Sequence, residues 1–110
     1  MLLAGCASGP TRFQLRYLSD HPELTVRERG AIYRRRLAVG DSLDWVKLVV
    51  DGFTMRRLHG DNTSQTYQIF VPIHSDGLVL LREGKETAIS EGEVRLVFRA
   101  GKVAQIVLFE

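Results

Sequence analysis

Alternation of apolar and polar residues near the C-terminus is the sequence feature that most constrains the fold. Over 94–99 every second residue is a large apolar one, including Leu96 and Phe98, and an Ala-Gly pair at 100–101 precedes a second apolar stretch over 102–109. A period of two places alternate side chains on opposite faces of a strand, and a tight turn joins neighbouring antiparallel strands. We therefore predict a terminal β-hairpin with Leu96 and Phe98 on its buried face.

Three earlier segments, 53–58, 66–71 and 78–82, are also predicted to be strands. They contain β-branched and aromatic residues, and the segments between them contain the His, Gly, Asp, Asn and Ser residues that turns favour. Together with the hairpin, they predict an antiparallel meander.

The first half of the sequence has helical spacing instead. Over 18–37 apolar residues recur on one helical face, and Thr25 followed by Glu28 fits a capping box, so a helix is predicted over 26–37. A second, shorter helix is predicted over 43–50.

The order of these elements predicts the fold class. Two N-terminal helices followed by antiparallel strands predict an α+β two-layer sandwich, in which the helices pack on one face of a single meander sheet. A chain of 110 residues has the size of one domain. The composition, with 45% hydrophobic and 25% charged residues, is that of a globular protein and not of a disordered one.

The N-terminus carries a motif for lipid attachment. Residues Leu3, Ala4, Gly5 and Cys6 match the bacterial lipobox, in which a large apolar residue and two small residues precede an obligatory cysteine. A diacylglyceryl group is added to the thiol, and the signal peptidase needs small side chains beside the bond that it cuts. Cys6 is the single cysteine of the chain, so an internal disulfide is excluded. We predict that Cys6 is lipidated and anchors the protein to a membrane.

The residues around Cys6 extend this prediction. Only five residues precede it, fewer than a signal peptide needs, so we expect the gene start to lie upstream. The polar segment 7–11 is typical of a tether, and Ala7 is not the Asp that commonly marks inner-membrane retention, which favours the periplasmic face of the outer membrane. Residues 1–17 are assigned to the signal, Cys6 and the tether, and 18–110 to one domain. The alternative is a chance small-residue stretch in a cytoplasmic protein.

Two further segments resemble a known family. The segment 40–46 is similar to the opening of the second helix in SmpA/OmlA-like outer-membrane lipoproteins, and 95–103 resembles their closing hairpin. The order of helices and strands agrees as well. The family includes the small lipoprotein subunit of the β-barrel assembly machinery, and β-lactamase inhibitor proteins share its fold. The resemblance therefore implies an α+β domain that docks against proteins.

The anchor and the resemblance lead to two functional hypotheses. The first is a lipid-anchored module that binds envelope proteins and is accessory to outer-membrane protein assembly or envelope integrity. The second is an inhibitor or regulator of a periplasmic enzyme. Neighbouring envelope-assembly genes would favour the first hypothesis, and an adjacent hydrolase gene would favour the second.

Arg34, Arg35 and Arg36 are the first candidates for an interaction site. Three consecutive guanidinium groups could pair with acidic lipid headgroups, lipopolysaccharide phosphates or a carboxylate-rich partner. Trp45 is a fourth candidate, because aromatic residues dominate binding hot spots. The alternatives are a solvated helix surface for the arginines and a core position for Trp45.

No cofactor, metal or catalytic residue is predicted. His59 and Asp61, and His74 and Asp76, repeat a His-x-Asp spacing that could suit zinc, but these residue types also form turns, and we favour the turns. No nucleophile context and no phosphate-binding loop is recognisable, so we expect neither an enzyme nor a small-molecule substrate. The formal net charge of +2 does not indicate nucleic-acid binding.

Acylation of Cys6 is directly testable. In cells fed an alkyne-tagged fatty acid, the protein expressed from its own gene is expected to take up the label, and Cys6→Ser is expected to take up none, because the hydroxyl cannot form the thioether. In-gel detection of the alkyne measures both. An unlabelled wild-type protein, or equal labelling of Cys6→Ser, would contradict the anchor.

Overall fold

The computed structural model describes residues 9–109 and contains three helices and two β-sheets, which confirms the predicted α+β class. The helices are α1 (Arg12–Asp20), α2 (Val26–Arg34) and α3 (Leu43–Val49). The strands are β1 (Arg36–Ala38), β2 (Thr54–Gly60), β3 (Ser64–Val71), β4 (Leu78–Arg82), β5 (Lys85–Ile89), β6 (Gly92–Arg99) and β7 (Lys102–Phe109). Within this part of the chain, every helix falls short of the length and apolar character needed to cross a bilayer.

Helix α1 begins at Arg12, so residues 12–17, which are assigned above to the signal and tether, are helical. The Thr11 hydroxyl accepts a hydrogen bond from the Gln14 backbone N–H, and the Gln14 side chain accepts one from the Thr11 N–H. This reciprocal pair is the same capping box that starts α2 at Thr25 and Glu28. The ordered domain therefore includes residues that were assigned to the tether.

Helix α2 ends earlier than predicted. Arg35 adopts a left-handed conformation with φ 53°, and its backbone N–H donates to the carbonyl oxygens of Ala31 and Ile32. A left-handed residue of this kind closes a helix and turns the chain. The prediction of one helix over 26–37 is therefore wrong at its C-terminal end, where the chain continues as β1.

Helix α3 confirms the second predicted helix. The Ser42 hydroxyl accepts a hydrogen bond from the Trp45 backbone N–H and caps the helix. Val46, Leu48 and Val49 are buried, so α3 presents most of its apolar side chains to the interior.

The larger sheet has four antiparallel strands in the order β2-β3-β6-β7. Its last two strands confirm the predicted terminal hairpin, with the turn at 100–101. Leu96 and Phe98 are buried, as predicted. The strands predicted over 53–58 and 66–71 are confirmed as β2 and β3, with ends shifted by one or two residues.

The smaller sheet has three strands in the order β1-β4-β5 and replaces part of the predicted meander. The strand predicted over 78–82 is confirmed as β4, which pairs in parallel with β1 and antiparallel with β5. The single meander sheet is therefore wrong. The chain leaves the larger sheet after β3, forms the β4-β5 hairpin and returns as β6, which pairs with β3.

The loop 72–77 carries the chain from the larger sheet to the smaller one. Gly77 has φ 78°, and a Cβ atom there would lie 2.2 Å from the Ile89 carbonyl oxygen. Only glycine accepts both the left-handed conformation and this close approach of two backbones. Gly77 therefore allows β4 to start directly beside the end of β5.

The main hydrophobic core lies between the inner face of the larger sheet, α3 and the smaller sheet. The larger sheet contributes Ile69, Leu96 and Phe98, α3 contributes Val46 and Val49, and the smaller sheet contributes Leu37 and Leu80, among other buried residues. A second cluster joins one residue from each helix, Leu18, Ile32 and Leu48. Helix α3 therefore packs in both clusters.

Candidate interaction surface

The C-terminal end of α3 is surrounded by polar side chains from other elements, which together form the α3-end cluster of Thr11, Gln14, Arg35 and Asp51. The Gln14 amide donates to the carbonyl oxygens of Leu48 at 2.8 Å and Val49 at 3.0 Å. The last carbonyls of a helix have no partner within the helix, so they need donors from elsewhere. Gln14 is fully buried and supplies such donors from α1.

Arg35 supplies further donors to the same end of α3. Its guanidinium donates to the carbonyl oxygens of Val49 at 3.1 Å and Asp51 at 2.7 Å, and it stacks over the Phe53 ring with its Cζ 4.2 Å from the centroid. The residue is only 4% exposed. Burial lowers the pKa of Arg35, and the carboxylates of Asp76 and Asp51 partly oppose this shift.

Arg34 and Arg36 lie on the outside of the domain and share one acidic partner. Arg34 makes a bidentate contact with Glu86 of β5, at 2.7 and 3.3 Å, and the Arg36 guanidinium approaches the same carboxylate at 3.8 Å. The hydrogen bond from Arg34, together with the charges of both arginines, lowers the pKa of Glu86. Arg36 also donates to the Arg27 carbonyl oxygen.

The three consecutive arginines therefore do not form the exposed cationic patch that the sequence suggested. Helix α2 ends at Arg34, Arg35 is left-handed, and Arg36 begins a strand, so the three side chains lie in different surroundings. Arg35 is buried, and Arg34 and Arg36 share the single carboxylate of Glu86. The triplet mainly joins elements of the domain to one another.

Trp45 is partly buried and packs against both hydrophobic clusters. The rest of its surface lines a groove of about 420 Å³ together with Arg27, Arg36 and Asp41. Burial raises the pKa of Asp41, although the Ala38 N–H and the charge of Arg36 oppose the shift. The groove therefore has side chains of both charges and selects neither anions nor cations.

The two His-x-Asp pairs lie in exposed turns or at a strand end. Asp61 accepts hydrogen bonds from Thr63 and Ser64 and so closes the turn between β2 and β3, and His74 has a left-handed φ of 68°. Asp76 accepts a hydrogen bond from the Gly9 backbone N–H. Within 9–109 no group of three or more His, Cys, Asp or Glu side chains is placed to hold a metal ion.

The predicted lipid attachment site at Cys6 lies outside the described residues. The nearest described residue is Gly9, which contacts the loop 72–77 through Asp76.

The face of the larger sheet that points away from the core is exposed and chemically distinctive, and it is called the outer sheet face here. None of its side chains belongs to either hydrophobic cluster of the described residues. Alternation along the strands assigns its members, and the register aligns them across neighbouring strands. They include Arg56, Gln68, Phe70, Glu93, Arg95, Val97, Val107 and Phe109.

A polar network crosses three strands of the outer sheet face. Arg56 of β2 donates to the Gln68 side-chain oxygen of β3 at 2.8 Å, and Arg95 of β6 contacts Glu93 at 2.6 Å. A hydrogen bond from the Gln68 amide lowers the pKa of Glu93 most, and a hydrogen bond from Arg95 lowers it further. Gln68 is 5% exposed, because the longer side chains around it cover it. The network therefore holds two guanidinium groups in defined positions.

Two aromatic rings flank this network. The register places Phe70 and Phe109 directly on either side of Glu93, on the neighbouring strands. They are 38% and 41% exposed, unlike the buried Phe98 on the inner face. The Arg95 guanidinium lies over the Phe109 ring, with its Cζ 4.2 Å from the centroid. The outer sheet face thus combines exposed rings with ordered charged groups.

This surface is absent from the predictions made from the sequence, although the sequence contains a signal for it. In a strand with one solvated face, the residues between the buried ones should be polar, yet Phe70 and Val97 occupy such positions. Large apolar residues on the polar face of an otherwise alternating strand indicate a surface that a partner covers.

No family model matches the chain, and no curated protein or solved structure matches it either. The resemblance to SmpA/OmlA-like lipoproteins therefore stays a prediction.

The burial of Arg35 leads to a stability prediction. Arg35→Gln is expected to lower the free energy of unfolding by about 1–3 kcal/mol, because the Val49 carbonyl oxygen loses one of its two side-chain donors and the Asp51 carbonyl oxygen loses the guanidinium donor. Arg34→Gln is the matched control. It removes the same charge from a half-exposed neighbour, and the unfolding midpoint should stay close to wild type. Urea unfolding followed by circular dichroism measures both, and equal losses would show that Arg35 does not support α3.

Proposed function

We propose that this protein is a lipid-anchored module of the bacterial outer membrane, held by Cys6, that binds another envelope protein through its outer sheet face. It acts by binding and not by catalysis. Its role is accessory to outer-membrane protein assembly or envelope integrity, in line with the SmpA/OmlA-like resemblance of 40–46 and 95–103.

The observation that carries this proposal is the combination of Phe70 and Phe109 with the ordered Arg95 guanidinium. Aromatic residues and arginine are the types that contribute most to protein–protein interfaces, especially when they lie together at the centre of a patch. Here the two rings and the guanidinium occupy neighbouring positions on adjacent strands. A partner that covers them would bury both rings and pair with the charged groups between them.

The polar network supports binding by limiting its entropic cost. A free arginine side chain has many rotamers and loses that freedom when a partner orders it. Arg56 and Arg95 are already held by Gln68, Glu93 and Phe109, so a smaller part of this cost remains for binding. Because the two guanidinium groups are ordered, their N–H donors point in fixed directions. A partner whose acceptor groups lie in those directions is favoured over other partners.

The described grooves are clefts open to solvent and not enclosed pockets, which agrees with a protein partner. Next to Phe109, a groove of about 480 Å³ runs between the β5–β6 turn and the end of β7, and residues 88–93 form one of its walls. It is open to solvent and continuous with the outer sheet face at Glu93. A partner side chain could enter it while the rest of the partner covers the sheet.

Site-specific photo-crosslinking in intact cells tests this function. A benzoylphenylalanine at position 70 or 109 of the lipidated protein is expected to form the same discrete adduct, because both positions lie in one interface. Val26 is the matched control, since it is 88% exposed and apolar but lies on α2. Arg95→Ala is expected to lower the adduct yield from position 70 by about tenfold, as expected for an interface residue of hot-spot strength.

Two results would contradict the proposal: no adduct from positions 70 and 109, or an equal adduct from position 26. Mass spectrometry of the adduct then separates the two functional hypotheses. An outer-membrane or assembly protein supports the module proposed here, and a soluble periplasmic enzyme supports the inhibitor hypothesis instead.

A further inference from the structure

We propose that the start of α1 and the neighbouring loop form a membrane-facing surface that docks on anionic phospholipid headgroups. This anchor-side surface consists of Arg12, Phe13 and Arg16 of α1 and Ile73 of the loop 72–77. The inference rests on the lipid anchor at Cys6 in the proposed function, and it specifies how the anchored domain meets the bilayer.

The short distance between the anchor and the domain requires some part of this region to lie at the membrane. Three Cα–Cα steps lead from Cys6 to Gly9, and a fully extended chain of that length spans at most about 11 Å. Gly9 donates its backbone N–H to the Asp76 carboxylate, and Thr11 donates its hydroxyl to Asp51 at 2.6 Å. A lipid on Cys6 must therefore enter the bilayer close to the start of α1 and the loop 72–77.

The side chains exposed in this region are those that bind a membrane interface. Phe13 is 56% exposed and Ile73 is 64% exposed, so both large apolar side chains are accessible to a membrane. Arg12 and Arg16 are exposed, lie one helical turn apart and line a shallow groove with Phe13. Apolar side chains beside arginines suit the boundary between acyl chains and headgroups.

The charges of this region favour an anionic surface. Within the described residues, Arg12 and Arg16 form no ion pair. Among the nearby carboxylates, Asp51 and Asp76 act on the buried Arg35 guanidinium, whose positive charge offsets part of their negative charge. Asp44 lines a groove with Phe13, and Lys47 lies in the same groove. The two exposed guanidinium groups of α1 are therefore free to pair with phosphate groups, to which arginine binds in bidentate fashion.

Lys102, at the opposite end of the larger sheet, serves as the reference position for a test of this docking. The loop 72–77 follows the end of β3, whereas Lys102 pairs with Arg99, and Arg99 pairs with Ser64 at the start of β3. An eight-residue strand therefore separates Lys102 from the loop 72–77 of the anchor-side surface. If the domain docks as proposed, Lys102 faces away from the bilayer.

Fluorescence quenching on vesicles tests the docking with the full chain. The single thiol, Cys6, is coupled to a maleimide-bearing phospholipid, so the experiment does not depend on acylation in cells. The single tryptophan is removed by Trp45→Phe, and an indole is introduced by Phe13→Trp or, as the reference, by Lys102→Trp. Phosphatidylcholine vesicles with or without phosphatidylglycerol carry brominated acyl chains that quench a nearby indole, and circular dichroism checks that each variant is folded.

The indole at position 13 is expected to be quenched on vesicles that contain phosphatidylglycerol, and the indole at position 102 is expected to stay unquenched. Each arginine near an anionic surface strengthens the docked state roughly fivefold, so Arg12→Gln with Arg16→Gln should lower the ratio of docked to undocked protein roughly 30-fold. Added salt should act in the same direction. Arg57→Gln with Arg99→Gln removes the same charge from exposed positions elsewhere and should have little effect.

Equal quenching of the two indoles would overturn the proposed orientation. Quenching at position 13 that ignores salt, phosphatidylglycerol and the α1 double substitution would overturn the role of anionic headgroups. Either failure leaves the photo-crosslinking result at Phe70 and Phe109 unaffected. Conversely, absence of acylation or of a crosslinked adduct in cells would count against the proposed function and leave the vesicle result standing.

Discussion

The end of α3 is the point on which the rest of the fold depends. The helix is short and largely buried, so its last carbonyl groups cannot turn to water, and each unpaired group would destabilise the fold. Gln14 and Arg35 donate to these carbonyls from two other elements. These two side chains supply hydrogen-bond donors to the last carbonyls of α3, and they also link α3 to α1 and to the α2–β1 junction. They therefore fix how the three helices pack against one another.

Both proposed surfaces follow from this arrangement. The left-handed backbone at Arg35 directs the chain into β1, whose parallel pairing with β4 forms the smaller sheet. Helix α3 and that sheet pack on the inner face of the larger sheet, so the outer sheet face stays exposed. Docking of α1 through Gln14 places Gly9 beside Asp76, and the proposed lipid on Cys6 would meet the domain near this contact. The row of Phe70, Glu93 and Phe109 lies near the same end of β3.

Local patterns in the sequence predicted most helices and strands, whereas long-range contacts decided the features that were missed. The capping box at Thr25 and the alternation at Leu96 and Phe98 depend on near neighbours, and both are seen in the structure. The consecutive arginines looked alike in sequence, yet Arg35 is buried because α3, distant in sequence, needs its donors. Helix α1 could have been found, since Thr11 and Gln14 have the same capping-box spacing as Thr25 and Glu28. The outer sheet face depends on the strand order, which no local pattern encodes.

Amide hydrogen exchange in α1 reports directly on whether Gln14 holds that helix against α3. In the wild-type protein the amides of α1 should be protected, and Gln14→Ala should speed their exchange by about 10- to 100-fold, because two buried carbonyls lose a donor worth about 1–3 kcal/mol. The amides that pair β3 with β6 should change much less, and Leu15→Ala, at an exposed position of the same helix, should leave α1 protected. Exchange of α1 at the rate of an unstructured chain in the wild-type protein, or protection that Gln14→Ala does not alter, would show that the α3-end cluster does not organise this fold.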